Sequence, residues 1–227
     1  MTSIPTWRYW LSHLWEQRLE TTSSDYNPVL SISVVQGRLQ LTAQDAIYSF
    51  GDYYLNFRKV FDRFDFDRLP KQANVLVLGL GLGSIPELLE NLHHCDYNYV
   101  AVEIDPVIVQ LANEYSLPQL KSSIEVITTD AELFLQLDQR QYDLICMDVF
   151  QDAVVPGHLA TDHFLELLKA RLAPHGALVY NRLADTNAHR KESREFFEHY
   201  FQPAFRQGGM IDTGGNYMLL NDMKFVD

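Results

Sequence analysis

The sequence predicts an α/β protein whose main sheet is mostly parallel, covered on both faces and closed at the end by an antiparallel hairpin. Three observations predict it. From residue 73 onward, short apolar runs without polar alternation are separated by helical stretches, the pattern of buried strands joined by crossover helices. The chain ends in two short apolar-rich runs flanking Gly214 and Gly215, which reads as a hairpin. Before residue 73 the texture differs, with a helical stretch followed by an alternating segment centred on Gly37. A chain of 227 residues is long enough for one sizeable core with a small appendage.

Taken in order, residues 6–20 (TWRYWLSHLWEQRLE) are predicted helical, with Trp7, Leu11, Leu14 and Arg18 on one face and Trp10 and Trp15 beside it. That tryptophan stripe is expected to be buried in the core or against another subunit. TTSSDYNP is a polar break. VLSISVVQGRLQLT alternates around Gly37 and reads as a β-hairpin, making residues 25–50 a small antiparallel element. Residues 52–64 read as a helix, ended by the break DRLPKQ. NVLVLG is then the first parallel strand, and SIPELLENLH a helix with Ser84 as its cap. YNYVAVE and IEVITT are the second and third strands; DPVIVQLANEY lies between them, with Pro106 in its first turn. DAELFLQL is a short helix, YDLICMD the fourth strand, TDHFLELLKARL a helix capped by Thr161, and GALVYN the fifth strand. TNAHRKESREFFEHYF is one more helix before the closing hairpin QGGMIDT/NYMLLND.

Composition narrows the functional classes. A net charge of −12 disfavours nucleic-acid binding through a basic surface; it would suit a cationic substrate, although acidity is commonly a matter of solubility. No apolar run approaches the roughly 20 residues of a membrane span, and MTSIPTWRYW lacks the basic and apolar parts of a leader. Cys95 and Cys146, the only two cysteines, lie in or near apolar stretches and fit a reduced, cytoplasmic location. HHC at 93–95 is not expected to bind metal, because adjacent residues do not readily converge on one tetrahedral ion. HRKESRE reads as a solvated helix face.

The chemistry points to the strand ends. Gly79, Gly81 and Gly83 follow the first strand and precede a helix, where open α/β sheets bind ligands and glycine lets the backbone come close. The dinucleotide fingerprint is G-x-G-x-x-G; here the third glycine comes one residue early and position 84 is Ser. The G-x-G-x-G spacing is usual where a loop approaches S-adenosylmethionine. Glu103 ends the second strand, about twenty residues past the last glycine, where a carboxylate accepts from ribose hydroxyls. Asp105 is expected to cap the next helix. Asp130 follows the third strand and either accepts from an adenine amino group or caps a helix. Asp148 ends the fourth strand, where two substrates would meet.

These residues carry a resemblance. VLVLGLGLGS, VAVEIDPVIVQLANEY, VITTDAELFL and YDLICMDVFQDAVVPGHLATDHFLELLKARLAPHGALVYN, together with LQLTAQDAIYSFG before them, resemble the spermidine synthase-like branch of the class I methyltransferase fold over about residues 27 to 185. The resemblance implies a seven-stranded Rossmann-like sheet, an adenosyl sulfonium or thioether ligand without metal, and a homodimer. It divides the chain into residues 1–66, an N-terminal helix and small β element, and 67–227, the nucleoside-binding domain. Three departures stand out. The family carries aspartate inside the glycine loop where this chain has Leu82. Its paired aspartates after the fourth strand match Asp148, but the second falls on Gln151, with Asp152 one residue late. Tyr48 is the nearest candidate for the family's active-site tyrosine, at a spacing about one residue short.

With Gln151 unable to take a proton or supply charge, the residues favour an S-adenosylmethionine-dependent methyltransferase acting on a small-molecule acceptor. Gly79, Gly81 and Gly83 would pass under the nucleoside; Glu103 would hold the ribose and Asp130 the adenine. Asp148, Asp152 and Tyr48 are the catalytic candidates, and Asn181, ending the fifth strand, is a candidate lining residue of the acceptor pocket. The alternative is aminopropyl transfer from decarboxylated S-adenosylmethionine to a diamine. A nucleoside-binding protein without turnover is a second alternative, and a dinucleotide oxidoreductase comes last.

Overall fold

Four short amino-terminal strands form an antiparallel sheet, and the rest of the chain builds a larger one behind it. The structure is a computed structural model that describes residues 4–44, 46–151 and 154–227. Helix α1 (Thr6–Leu11) leads into β1 (Gln17–Thr22), β2 (Leu30–Val35), β3 (Arg38–Ala43) and β4 (Ala46–Ser49), hydrogen-bonded in that order. The β2–β3 turn is two residues long, with Gln36 and Gly37 at φ 50° and 78°, the left-handed pair that suits the twist of a tight hairpin.

The helix expected over residues 6–20 therefore stops early, and its second half becomes β1. Ser12 ends α1: its hydroxyl donates to the Tyr9 carbonyl at 2.6 Å and accepts from Gly37 N at 2.8 Å, pinning the helix end to the β2–β3 turn. Pairing of β1 with β2 then outweighs the helical periodicity. The tryptophan stripe is not buried: Trp7, Trp10 and Trp15 are 54%, 75% and 58% exposed. The helix expected over 52–64 is likewise shorter. A 3-10 turn at Gly51–Tyr53 precedes α2 (Leu55–Phe61), and Tyr54 between them has non-helical dihedrals (φ −74°, ψ 78°).

The main sheet is built from β5 (Asn74–Leu78), β6 (Asn98–Glu103), β7 (Ile124–Thr128), β8 (Tyr142–Met147), β9 (Leu172–Leu183), β10 (Gly209–Asp212) and β11 (Asn216–Leu220). Its order is β10-β11-β9-β8-β5-β6-β7, parallel except for β11, which runs against both neighbours. The intervening helices are α3 (Ser84–Asn91), α4 (Pro106–Tyr115), α5 (Ala131–Leu137), α6 (Asp162–Arg171) and α7 (Asn187–Phe196), the last continuing into a wide turn at Phe197–Phe201. The seven-stranded, mostly parallel sheet with its closing hairpin is the architecture the sequence predicts. Among the described residues, no helix is long and apolar enough to cross a membrane.

Alternation along the central strand divides the core between the two faces. Val75 and Val77 of β5 pack with the amino-terminal sheet (Leu30, Ile32, Leu41) and with Phe57 and Phe61 of α2. Leu76 and Leu78 face α5, α6 and α7 through Phe134, Phe164 and Phe196. The small sheet thus shares a core with the large one and sits against the carboxyl ends of its strands. After β7 the chain returns to the opposite side of β5 to form β8, so the switch point lies between β5 and β8.

Candidate active site

A cleft of about 1010 Å³ opens at that switch point, lined by the strand ends on one side and the amino-terminal residues Tyr26, Tyr48, Phe50, Tyr53 and Tyr54 on the other. It is large enough for a nucleoside and a second small molecule. Its floor begins at the glycine loop. Gly79 has φ +88°, and a Cβ there would lie 2.4 Å from the Asp148 carbonyl oxygen, so only glycine lets β5 and β8 leave the sheet side by side. Gly81 has φ +54°, and a Cβ there would meet the Tyr48 carbonyl at 3.2 Å. The loop is thus roofed closely by β4. Gly83 is not a lining residue; at φ +84° it caps α3, the role expected of Ser84. The Ser84 hydroxyl turns instead toward the small sheet, 2.5 Å from Ser49 Oγ and accepting from Phe50 N at 3.1 Å.

Glu103 sits at the end of β6, beside this loop. One carboxylate oxygen accepts from Gly81 N at 3.2 Å and the other from Asp105 N at 3.1 Å. Burial pushes its pKa up, and these backbone N–H groups pull it back. The carboxyl group also lines the cleft. Asp105 caps α4 by accepting from Val107 N at 2.9 Å, and it also accepts from Ser24 Oγ and Asn27 Nδ2 at 2.5 and 2.8 Å. A helix cap therefore doubles as an anchor for the amino-terminal segment. Asp130 caps α5 through Glu132 N and Leu133 N at 2.9 and 3.0 Å, while its second oxygen lies 3.1 Å from His158 Nε2. It faces the cleft as well, so capping and ligand contact are compatible at this residue.

Asp148 stands past the tip of β8, its backbone against Gly79, with Asn181 Nδ2 donating to its Oδ1 at 2.8 Å and the Tyr54 hydroxyl donating to the carboxylate. Burial raises its pKa to about 7 against those two donors, helped by the nearby charge of Glu103. The Tyr54 hydroxyl is held well above the usual phenol range by burial and by Asp148, so it acts as a donor. Asn181 is 1% exposed and lies behind Asp148; it does not line the cleft. Gln151, Asp185 and Asn216 complete this end. Leu82, where the family has a loop aspartate, is turned into the core at 3% exposure. Asp152 lies outside the described residues.

The cleft thus gathers Gly79, Gly81, Glu103, Asp130, Asp148 and Tyr48. Sequence reasoning missed Tyr54, His158 and Asn216. Tyr54 carried no local signal, because its neighbours read as one helix; His158 and Asn216 are polar residues in turns, and only the fold brings them to the cleft.

Comparison with known proteins follows the same line. No protein-family model matches the chain. A stretch of 133 residues, 56% of this chain, is 35% identical to a polyamine aminopropyltransferase of Vibrio vulnificus and covers 43% of it. A stretch of 114 residues, 50% of this chain, is 32% identical to a probable polyamine aminopropyl transferase of Bifidobacterium longum and covers 25% of it. An N-terminal histidine N-methyltransferase of Emericella nidulans is 33% identical over 148 residues, with 25% of it covered. The chain spans less than half the length of each of these relatives.

Among solved structures, a probable spermidine synthase from Corynebacterium glutamicum aligns with a TM-score of 0.72 at 18% identity, over 88% of this chain and 78% of that one. Human methyltransferase-like protein 13 in complex with SAH aligns with a TM-score of 0.54 at 21% identity, over 66% and 72%. The chain has the class I methyltransferase fold in its spermidine synthase-like form. The expectation of methyl transfer is corrected by these matches. The two aminopropyltransferases among the relatives favour the aminopropyl alternative.

Proposed function

We propose that this chain transfers the aminopropyl group of decarboxylated S-adenosylmethionine to a small-molecule amine. The observation that carries the reading is Asp148, a carboxyl group with a pKa raised to about 7, standing in the cleft beside the switch point with its backbone against Gly79 and its side chain held by Asn181 and Tyr54. An amine acceptor arrives protonated and must lose a proton before it can attack, and a base of that pKa is matched to the task. The aminopropyltransferase relatives and the spermidine synthase-like fold agree with it.

The donor supplies an electrophilic carbon next to a positively charged sulfur. The acceptor nitrogen forms a bond to that carbon, the carbon–sulfur bond breaks with its electron pair going to sulfur, and methylthioadenosine leaves. The acceptor's proton passes to Asp148. Charge on sulfur is discharged in the transition state, so little new charge needs stabilising, and alignment and exclusion of water carry most of the acceleration. Glu103 would hold the ribose hydroxyls; Asp130 would accept from the adenine amino group. Gly79 and Gly81 let the main chain approach the nucleoside. Tyr48, Phe50 and Tyr53 close the cleft from the small sheet. With no counterpart of the family's loop aspartate at Leu82, the acidic end for cations is built around Asp148 and Asp185.

The test is direct. Purified protein is incubated with decarboxylated S-adenosylmethionine and a panel of diamines, and release of methylthioadenosine is followed. Release that depends on both substrates is expected. Absence of methylthioadenosine with every diamine would sink the reading.

A further inference from the structure

Three polar side chains form a line across three neighbouring strands at the end of the cleft that holds Asp148. Strand β8 pairs with β9 through Met147 and Tyr180, which places Asp148 beside Asn181 one step farther on. Strand β9 pairs with β11 through Asn181 and Met218, and Asn216, two residues before Met218, shares its face of the sheet. Asn216 Nδ2 donates to Asn181 Oδ1 at 2.9 Å, and Asn181 Nδ2 donates to Asp148 Oδ1 at 2.8 Å. The reverse orientation of the Asn181 amide would set its oxygen against the carboxylate and its NH2 group against the NH2 group of Asn216. Asn216 is itself held at the β10–β11 turn, where its carbonyl accepts from Thr213 N and Oγ1 at 2.9 and 3.0 Å.

We infer that Asn181 and Asn216 are positioning residues that act through Asp148: Asn216 fixes the orientation of the buried Asn181 amide so that an N–H always faces the carboxylate. The inference rests on the proposed role of Asp148 as the base. A carboxylate in this setting is exposed to opposing influences. Burial, Glu103 from β6 and Cys146 from its own strand favour the neutral form or are themselves raised beside it; Tyr54 from the segment before α2 and Asn181 from β9 donate to the charged form. Without a fixed donor from β9, the carboxylate would keep its proton through neutral pH and fail as a base. The closing hairpin, whose β11 packs Tyr217, Met218, Leu219 and Leu220 into the core, thereby also reaches the chemistry through the amide relay.

The experiment reads the Asp148 titration directly, by carboxyl carbon NMR on protein labelled at aspartate, with Asp148→Asn to assign the signal. Asn181→Leu keeps the approximate shape and removes the donor. The Asp148 midpoint is expected to move up by about one pH unit, the scale of a lost hydrogen bond to a charged group. Asn216→Leu, at a half-exposed position that tolerates change more readily, leaves the donor but frees its orientation; a smaller upward shift is expected. Asn216→Gln keeps the donor and should stay near wild type. The acid limb of kcat/KM should move with the NMR midpoint while KM for the donor is unchanged, whereas general structural damage would lower the rate at every pH. A midpoint that does not move in either leucine variant would overturn the relay. Failure of wild-type protein to release methylthioadenosine would fall on the proposed activity alone, because the titration is read without substrate.

Discussion

The two ends of the cleft are built on different plans. At the glycine end, contacts come from backbone and from residues that follow their own strands immediately: Gly79 and Gly81 after β5, Glu103 closing β6, Asp130 after β7. Each acid there is already engaged by backbone N–H groups, two for Glu103 and two for Asp130. At the Asp148 end the contacts are side chain to side chain, drawn from Tyr54, Asp148, Asn181 and Asn216, which are far apart in the chain. Under the proposed function, the difference separates binding from chemistry. On the proposed reading the backbone-held acids give a fixed surface for a nucleoside, whereas Asp148, buried and held by two neutral side chains, has its pKa raised to about 7, where it can exchange a proton near neutrality.

The sharpest way to break this contrast is Asp148→Asn. Loss of the base should lower kcat/KM for aminopropyl transfer by about 10²–10⁴-fold, while methylthioadenosine affinity, measured by calorimetry, stays close to wild type. In wild-type protein the pH dependence carries the same signature. The carboxyl group is protonated and idle below its pKa of about 7, so the rate should climb as pH rises to that value and level off above it. A comparable loss of nucleoside binding in Asp148→Asn would show that the two ends are not separate.

Gly79→Ala should injure both ends at once. The new Cβ would sit 2.4 Å from the Asp148 carbonyl oxygen at φ +88°, so either the loop or the tip of β8 must shift. Backbone strain of this kind costs about 1–3 kcal/mol, which for a chain of this size lowers the thermal midpoint by about 2–12 °C. Binding and turnover should fall together. A variant with wild-type stability and full activity would mean that the close approach is not required.

Glu103→Ala tests the glycine end alone. Removing the proposed acceptor of ribose hydroxyls should weaken methylthioadenosine by about 1–3 kcal/mol in calorimetry. The pH at which the rate levels off should change little by comparison, because Asp148 feels Glu103 only as the last of its influences. Unchanged affinity would remove Glu103 from the ribose.

The two plans also differ in how far they could be read from the sequence. A strand, then glycines or an acid, then a helix is a local pattern, so Gly79, Gly81, Glu103, Asp130 and Asp148 were all identifiable as strand-end residues before the fold was known. The double duty of Asp105 was not, since Ser24 and Asn27 reach it only when the small sheet docks. Tyr54 was hidden because residues 52–64 have helical composition, whereas in the fold the helix starts only after Tyr54, whose hydroxyl reaches Asp148. The same competition turned residues 17–22 from a predicted helix into β1. Periodicity describes what a segment does alone, and edge pairing with β2 changed the outcome.

Glu87 supplies a control for the pH argument, because it has the same displaced proton outside the cleft. It lies on α3 under Gly51, close to the Arg38–Asp52 ion pair, and burial followed by Asp52 raises its pKa to about 7. Its folded value lies above the unfolded one, so between about pH 4.5 and 7 the folded protein retains a proton that the unfolded chain has released. Stability from this group therefore falls as pH rises through that window. Glu87→Gln cannot ionise and should raise the thermal midpoint by a few degrees at most at pH 8, with no gain at pH 5. The acid limb of kcat/KM should not move, since Glu87 does not line the cleft. A limb that moved in Glu87→Gln would assign the pH dependence to the group beneath the Gly51–Tyr53 turn, and the distinction between a binding end and a chemical end would have to be redrawn around α3.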